Sequence, residues 1–162
     1  MRRSVLLPFH LFQEYRTPRK QDSVAIRSDF DRAYDVDTDG EVDGWTHLSD
    51  LDIPSANWIH GRNYSPIDPL RFRAALSSTS ILFEDFVFID FGSGKGKALL
   101  LASEYGFRRI VGLEFSPELN LVAPHNIQKY RDRHPTCGPP ESLCTDFLDF
   151  SLPKEPSVFL FL

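Results

Sequence analysis

The stretch that most constrains this chain lies between residues 87 and 117. It reads Val-Phe-Ile-Asp-Phe-Gly-Ser-Gly-Lys-Gly-Lys, then an apolar helical pattern, then Arg-Ile-Val-Gly-Leu-Glu-Phe-Ser-Pro. The run from Phe86 to Phe91 is β-branched and aromatic without alternation, as in a strand buried on both faces. Gly92, Gly94 and Gly96 permit a tight turn and let the backbone approach a ligand that a β-carbon would exclude. The apolar run from Ala98 to Ala102 predicts a helix over 95–105, stopped by Gly106. Residues 109–115 read as a second buried strand ending in an acid. Strand, glycine turn, helix and strand make one β-α-β unit, which holds a nucleotide-like ligand at the carboxyl ends of its strands.

Bulk properties leave room for that unit and little else. A chain of 162 residues suits one domain. Apolar content of 41%, 25% charged residues and a net charge of −5 allow a real core and argue against wholesale disorder. The acidity gives no support to a nucleic-acid partner, which usually leaves a basic footprint. Cys137 and Cys144 lack CxxC spacing and companion ligands, so a reduced pair is expected and no metal site. No run approaches the roughly 18 apolar residues of a membrane helix. The start of the chain superficially resembles a signal sequence, but Pro8 and His10 interrupt its apolar stretch. Gln13, Glu14, Tyr15 and Arg16 follow where small residues would mark a cleavage site. A cytoplasmic location is the expectation.

Before the central unit, residues 1–29 are basic and irregular, with Arg2, Arg3, Arg16, Arg19, Lys20 and Arg27. A helix lying on the domain and a loose arm are both open, with the basic residues on a solvated face. Asp35, Asp37, Asp39 and Gly40 match the start of a calcium loop, and Val42 sits at its aliphatic position. The twelfth position is then Thr46 rather than a bidentate Glu, and no clear helix pair flanks the segment. A turn whose aspartates bond their own backbone is the preferred reading. Residues 53–67 have loop composition, in which Trp58 and Tyr64 either plug the surface or cover a pocket. Asp68 or Ser65 caps a helix with Pro69 near its first position, and Phe72, Ala75 and Leu76 share one face.

After the unit, Ser116, Pro117 and Glu118 start a further helix with a serine cap, a proline and an acid in the first turn. Leu119, Val122, Ala123, Ile127 and Tyr130 recur along it at helical spacing. Pro124 predicts a kink, or a break near Ala123. Residues 142–146 read as a short third strand and 157–162 as a buried fourth.

Three ligand classes use a glycine turn of this kind. A dinucleotide site wants G-x-G-x-x-G, whereas this chain has G-x-G-x-G with Asp90 two residues ahead. A P-loop wants G-x-x-x-x-G-K-[ST]; Lys95 and Lys97 are followed by neither Ser nor Thr, and the acid at the strand tip would repel pyrophosphate. That acid suits a cation instead. S-adenosylmethionine carries a sulfonium and an α-ammonium, which a nearby carboxylate favours. Glu114, at the second strand tip, is placed to accept from both ribose hydroxyls. Asp146, at the third tip, can accept from the adenine amino group, and Phe147 can cover the purine. Blander readings are a helix cap for Asp90, an exposed strand end for Glu114, and a register in which Asp149 replaces Asp146. Acids converging on one cleft favour the functional reading.

With Glu114 and Asp146-Phe147, the motif Asp90-Phe-Gly-Ser-Gly-Lys-Gly resembles the class I, seven-strand S-adenosylmethionine-dependent methyltransferases. The resemblance covers 68–162, and Gly-Leu-Glu-Phe-Ser-Pro is similar to a bacterial-type branch. A looser likeness is to the seven-strand histone-lysine methyltransferases, which carry a Tyr-containing loop and a helix where this chain has 64–76. The resemblance implies an α/β, Rossmann-like, doubly wound parallel sheet of order 3-2-1-4, incomplete, in a partial cofactor domain over 68–162. Residues 1–67 would be an N-terminal extension with a lid-like loop. It implies S-adenosyl-L-methionine as cofactor, held by Asp90, Gly92, Ser93, Gly94 and Gly96 at the methionine part. Glu114 would hold the ribose, Asp146 and Phe147 the adenine, and Tyr64 would belong to the lid.

Members of that family grip the acceptor with the loop after the fourth strand, and the chain stops within that strand. A C-terminally truncated fragment with a bare, aggregation-prone fourth strand and weak cofactor binding is therefore the expectation. The methyl acceptor, a protein side chain or a small molecule, and the catalytic residues stay open. The alternatives are a non-catalytic adenosyl-binding module and, further off, a nicotinamide-dependent oxidoreductase.

Overall fold

The computed structural model describes residues 4–6, 27–40, 46–55, 57, 61, 63–133 and 138–161. Expectations placed on Arg2, Arg3, Pro8, His10, Arg16, Arg19, Lys20, Val42, Trp58 and Cys137 lie outside these residues.

Among the described residues five parallel strands form one sheet: β1 (Ser4–Leu6), β2 (Val87–Phe91), β3 (Arg109–Glu114), β4 (Glu141–Cys144) and β5 (Ser157–Phe161). Their spatial order is β1-β5-β2-β3-β4. The four strands read from the sequence thus stand in the predicted 3-2-1-4 arrangement. The fourth is not a bare edge. Backbone from the basic start of the chain pairs with it, Ser4 beside Ser157 and Leu6 beside Phe159, so this piece is neither helix nor loose arm. A parallel strand there satisfies the ladder groups that an open edge would leave unpaired.

Among the described residues four helices connect the strands: α1 (Asp29–Tyr34), α2 (Pro69–Ser77), α3 (Lys97–Ala102) and α4 (Pro117–Arg133). Asp68 caps α2 by accepting from the Arg71 N–H, with Pro69 at the first position. The helix predicted over 95–105 begins later, at Lys97. Gly96 sits at φ +88° as its cap, and a short 3-10 turn over 103–105 carries the chain to Gly106. Pro124 does not break α4, which runs continuously through it. Pro124 is exposed, so the hydrogen bond it deletes is lost on the side where water substitutes.

All four helices pack on one face. There Phe72, Leu76, Phe88, Leu99, Leu101, Tyr130, Val158 and Leu160 are buried in a single cluster. The opposite face carries Val87, Ile89, Val111 and Leu113, covered in part by Phe150 from the β4–β5 connection. Handedness accounts for this division. Moving from β1 to β2 to β3 to β4 proceeds in one direction along the sheet, so right-handed crossovers share a face. From β4 to β5 the direction reverses, and the connection crosses the other face. The order in which strands are added therefore reverses between β2 and β5, which run parallel, and ligands of such sheets bind at the carboxyl ends beside that point.

Candidate functional site

At the end of β2 the chain hooks onto the end of β3. The N–H groups of Gly92 and Ser93 both donate to the Leu113 carbonyl, at 2.8 and 3.1 Å, and Gly96 N–H donates to the Ser93 carbonyl at 2.8 Å. Gly92, Gly94 and Gly96 have φ of 80°, 52° and 88°, the left-handed region where other residues are strained. At Gly94 the demand is double, because the Tyr64 ring lies where a β-carbon would stand, 2.1 Å from it. Gly112 serves the same turn from β3: a β-carbon there would fall 2.6 Å from the Ser93 hydroxyl.

Two carboxyl groups meet beneath the turn on the helix-covered face. Asp90 is 1% exposed, and its Oδ1 has no hydrogen-bond partner among the described residues. Burial, reinforced by the neighbouring Glu114 charge, pushes its pKa up to about 8. Glu114 is 3% exposed, with both oxygens tied to backbone. Gly94 N–H donates to Oε2 at 2.7 Å and Ser116 N–H to Oε1 at 2.8 Å. Burial raises the Glu114 pKa as well, and the amides of Ser116, Gly94 and Phe115 oppose that rise. The Ser93 hydroxyl is a second buried polar atom without a partner among the described residues. Buried polar atoms are nearly always bonded, so two such orphans beside a glycine turn mark a place shaped for something else.

The third acid stands differently. Asp146 lies two residues beyond β4 and caps a 3-10 turn over 147–149, its Oδ1 accepting from Leu148 N–H at 3.0 Å. Its Oδ2 accepts from the Ser55 hydroxyl at 2.7 Å and the Asn57 amide at 2.8 Å. Those bonds, Asn57 foremost, hold its carboxyl below the ordinary carboxylate range. Phe147 is half exposed, its ring edge-on to Phe91 at 5.8 Å. Thr145 N–H donating to the Glu114 carbonyl at 2.8 Å joins this tip to its neighbour. Asp149 is exposed within the 3-10 turn, so in this register Asp146 carries the contacts.

The structure thus gathers Tyr64, Asp90, Gly92, Ser93, Gly94, Gly96 and Glu114 around one turn and sets Asp146 and Phe147 on the adjacent strand tip. Tyr64 is buried, and its hydroxyl donates to the Thr38 carbonyl at 2.6 Å. It lies directly on the turn, and its backbone pairs with Thr46. The aspartates that resemble a calcium loop face cations. Asp35 meets Arg27 and Lys129, Asp37 meets Lys95, and Asp39 meets Lys97. Among the described residues no cluster of His, Cys, Asp and Glu could hold a metal ion. Nor is any described helix long and apolar enough to cross a membrane.

Sequence reasoning missed four contributors. A glycine inside an otherwise apolar strand could have flagged Gly112. Asn126, buried on α4, and the pair Ser55 and Asn57 carry no comparable signal, because their partners are distant in sequence.

No protein-family model matches the chain, and no curated protein matches it. Among solved structures it is similar to an RNA methyltransferase from Salinibacter ruber in complex with S-adenosyl-L-homocysteine, at a TM-score of 0.48 and 22% identity. The match covers 60% of this chain and 61% of that one, so the chain spans about three fifths of that protein's length. A likeness this distant says nothing of ligand or acceptor.

Proposed function

We propose that the chain binds S-adenosylmethionine and that its activity is methyl transfer. One observation carries the reading: a buried Asp90 carboxyl with an unpartnered oxygen, beside buried Glu114, under a turn of three glycines with positive φ. Two buried acids in such a place call for a cationic ligand, since nearby positive charge favours their ionised forms. A phosphate would meet repulsion there.

In this reading Asp90, Ser93 and the glycine turn hold the methionine part. Glu114 takes the ribose hydroxyls with the lone pairs its backbone bonds leave over, and Asp146 and Phe147 receive the adenine. Tyr64 shapes the turn from the side of the 1–67 extension, while 68–162 supplies the remaining contacts. When bound, the cofactor supplies a methyl group on a positively charged sulfur. The chain's own residues then align it and exclude water, which is most of what such a displacement needs. The acceptor class is a protein side chain or a small molecule.

Calorimetric titration with S-adenosylmethionine, S-adenosylhomocysteine and NAD tests the assignment. Binding of the two adenosyl ligands, lost in Asp90→Ala, is the expected result. Binding of NAD alone, or of none, contradicts it. Transfer of label from methyl-tritiated cofactor to protein or small-molecule acceptors separates an enzyme from a non-catalytic binding module.

A further inference from the structure

The acidic segment that resembles half a calcium loop has a different employment. Residues 37–39 are bonded on one side to the glycine turn, α4 and Tyr64, and on the other to Asp31 of α1 and the N–H of its cap, Ser28. Asn126 accepts from Asp37 N–H at 2.8 Å and donates its amide to the Asp37 carbonyl at 2.7 Å and the Lys95 carbonyl at 2.9 Å. One fully buried side chain on α4 therefore joins the segment to the turn. Lys95 Nζ returns from the turn to Asp37 Oδ1 and the Asp39 carbonyl, both at 2.9 Å. Lys97 Nζ lies 3.4 Å from Asp39 Oδ1 and 5.0 Å from the centre of the Phe30 ring. Beneath the segment, the buried Asp31 carboxylate accepts from the Thr38 N–H and hydroxyl and from Asp39 N–H. Tyr64 closes the arrangement, bonding the Thr38 carbonyl while its ring rests on Gly94.

We infer that this segment is a positioning strap for the ligand-binding turn, with Asn126 and Lys95 as its fasteners. Three residues with positive φ make a turn that has many alternatives, because glycine is conformationally permissive. Backbone bonds to β3 fix its start, and Glu114 fixes Gly94. Among the described residues no hydrogen bond from β2 or β3 reaches the far side, at Lys95 and Gly96. The strap does so, through a carbonyl held by Asn126 and an ammonium held by residues 37 and 39. Lys95 and Lys97, whose surroundings do not fit a phosphate-binding loop, are committed to this task. A preorganised turn binds more tightly because less ordering accompanies binding.

The inference rests on the adenosyl reading above, and the experiment separates the two. Asn126→Ala and Lys95→Met are compared with wild type by calorimetry, using S-adenosylhomocysteine and 5′-methylthioadenosine. The second ligand lacks the amino-acid portion that the turn would hold. Each substitution should weaken S-adenosylhomocysteine about tenfold, the scale of a lost buried hydrogen bond. Methylthioadenosine affinity should stay within about twofold, because Glu114 and Asp146 are untouched. Lys95→Met leaves the buried Asn126 joint in place, so it reports on the strap even if Asn126→Ala fails to fold. Equal loss of both ligands, or loss of neither, overturns the strap while leaving the adenosyl reading intact. Failure of wild type to bind either ligand overturns both.

Discussion

Glu114 and Asp146 stand at the tips of adjacent strands, and both were read from the sequence as acceptors for one ligand. Their surroundings differ sharply. Glu114 is buried, and one backbone amide donates to each of its carboxylate oxygens. Asp146 sits in a partly exposed turn and is held by side chains from a distant loop, Ser55 and Asn57. The first acid builds the site as well as lining it, because the glycine turn takes its shape from it. In the proposed reading the second exchanges its Ser55 and Asn57 partners for a ligand's amino group. One half of the candidate site is therefore preformed and the other is held by replaceable contacts.

Glu114→Ala should break this contrast most severely. It strands the Gly94 and Ser116 amides in a buried place, at about 1–3 kcal/mol for each unsatisfied group. Thermal unfolding should shift down by several degrees, and adenosyl-ligand affinity should fall by about a hundredfold or more, since orientation and charge are lost together. A variant that keeps wild-type stability would show that Glu114 does not hold the turn.

Asp90→Asn sharpens the comparison from the other side. The Asp90 carboxyl lies at about 8 in the fold against 3.8 ordinarily, so the folded chain holds a proton that the unfolded chain gives up. Its contribution is therefore fully present below pH 3.8 and is lost as pH rises toward 8. Asparagine has no proton to lose and no charge to desolvate. Asp90→Asn should be more stable than wild type, by an amount that grows with pH and is on the order of 2 kcal/mol or more near neutrality. Urea unfolding at pH 5 and pH 8 measures it, and a pH-independent difference would contradict the buried, protonated Asp90.

The smallest effect belongs to Asp146→Ala. Unfolding should hardly change, because Ser55 and Asn57 can turn to water. Adenosyl affinity should fall only about three- to tenfold, the scale of one partly exposed hydrogen bond to a charged group. A collapse in stability would place Asp146 in the same class as Glu114 and erase the distinction.

The legible parts of this chain are those encoded locally. The apolar run ending in Asp90, the glycine spacing and the Ser-Pro-Glu helix start give the β-α-β unit and its order in the sheet. Asp90 and Glu114 at strand ends follow from the unbroken apolar runs before them, whereas the sequence left Asp146 competing with Asp149. Long-range pairings left no such mark. β1 joins β5 through backbone, which almost any side chains permit, and so the covered edge was invisible. Asp37 and Asp39 follow a metal-loop spacing but bond lysines more than fifty positions away, and only the fold supplies those partners. Pro124 predicted a kink or a break, and the break did not occur, because propensity cannot tell which face meets water. Burial also turned Asp90 from a simple carboxylate into a protonated acid, an effect of three-dimensional packing that no spacing reveals.

The most direct test of the account is calorimetric titration of the chain with S-adenosylmethionine between pH 6 and pH 7.5, repeated in buffers of different ionisation enthalpy. A positive ligand entering beside a protonated Asp90 displaces its proton. The account predicts binding that tightens severalfold across this range, with net release of protons to the buffer. Absence of binding, or binding that is independent of pH and releases no protons, would contradict it.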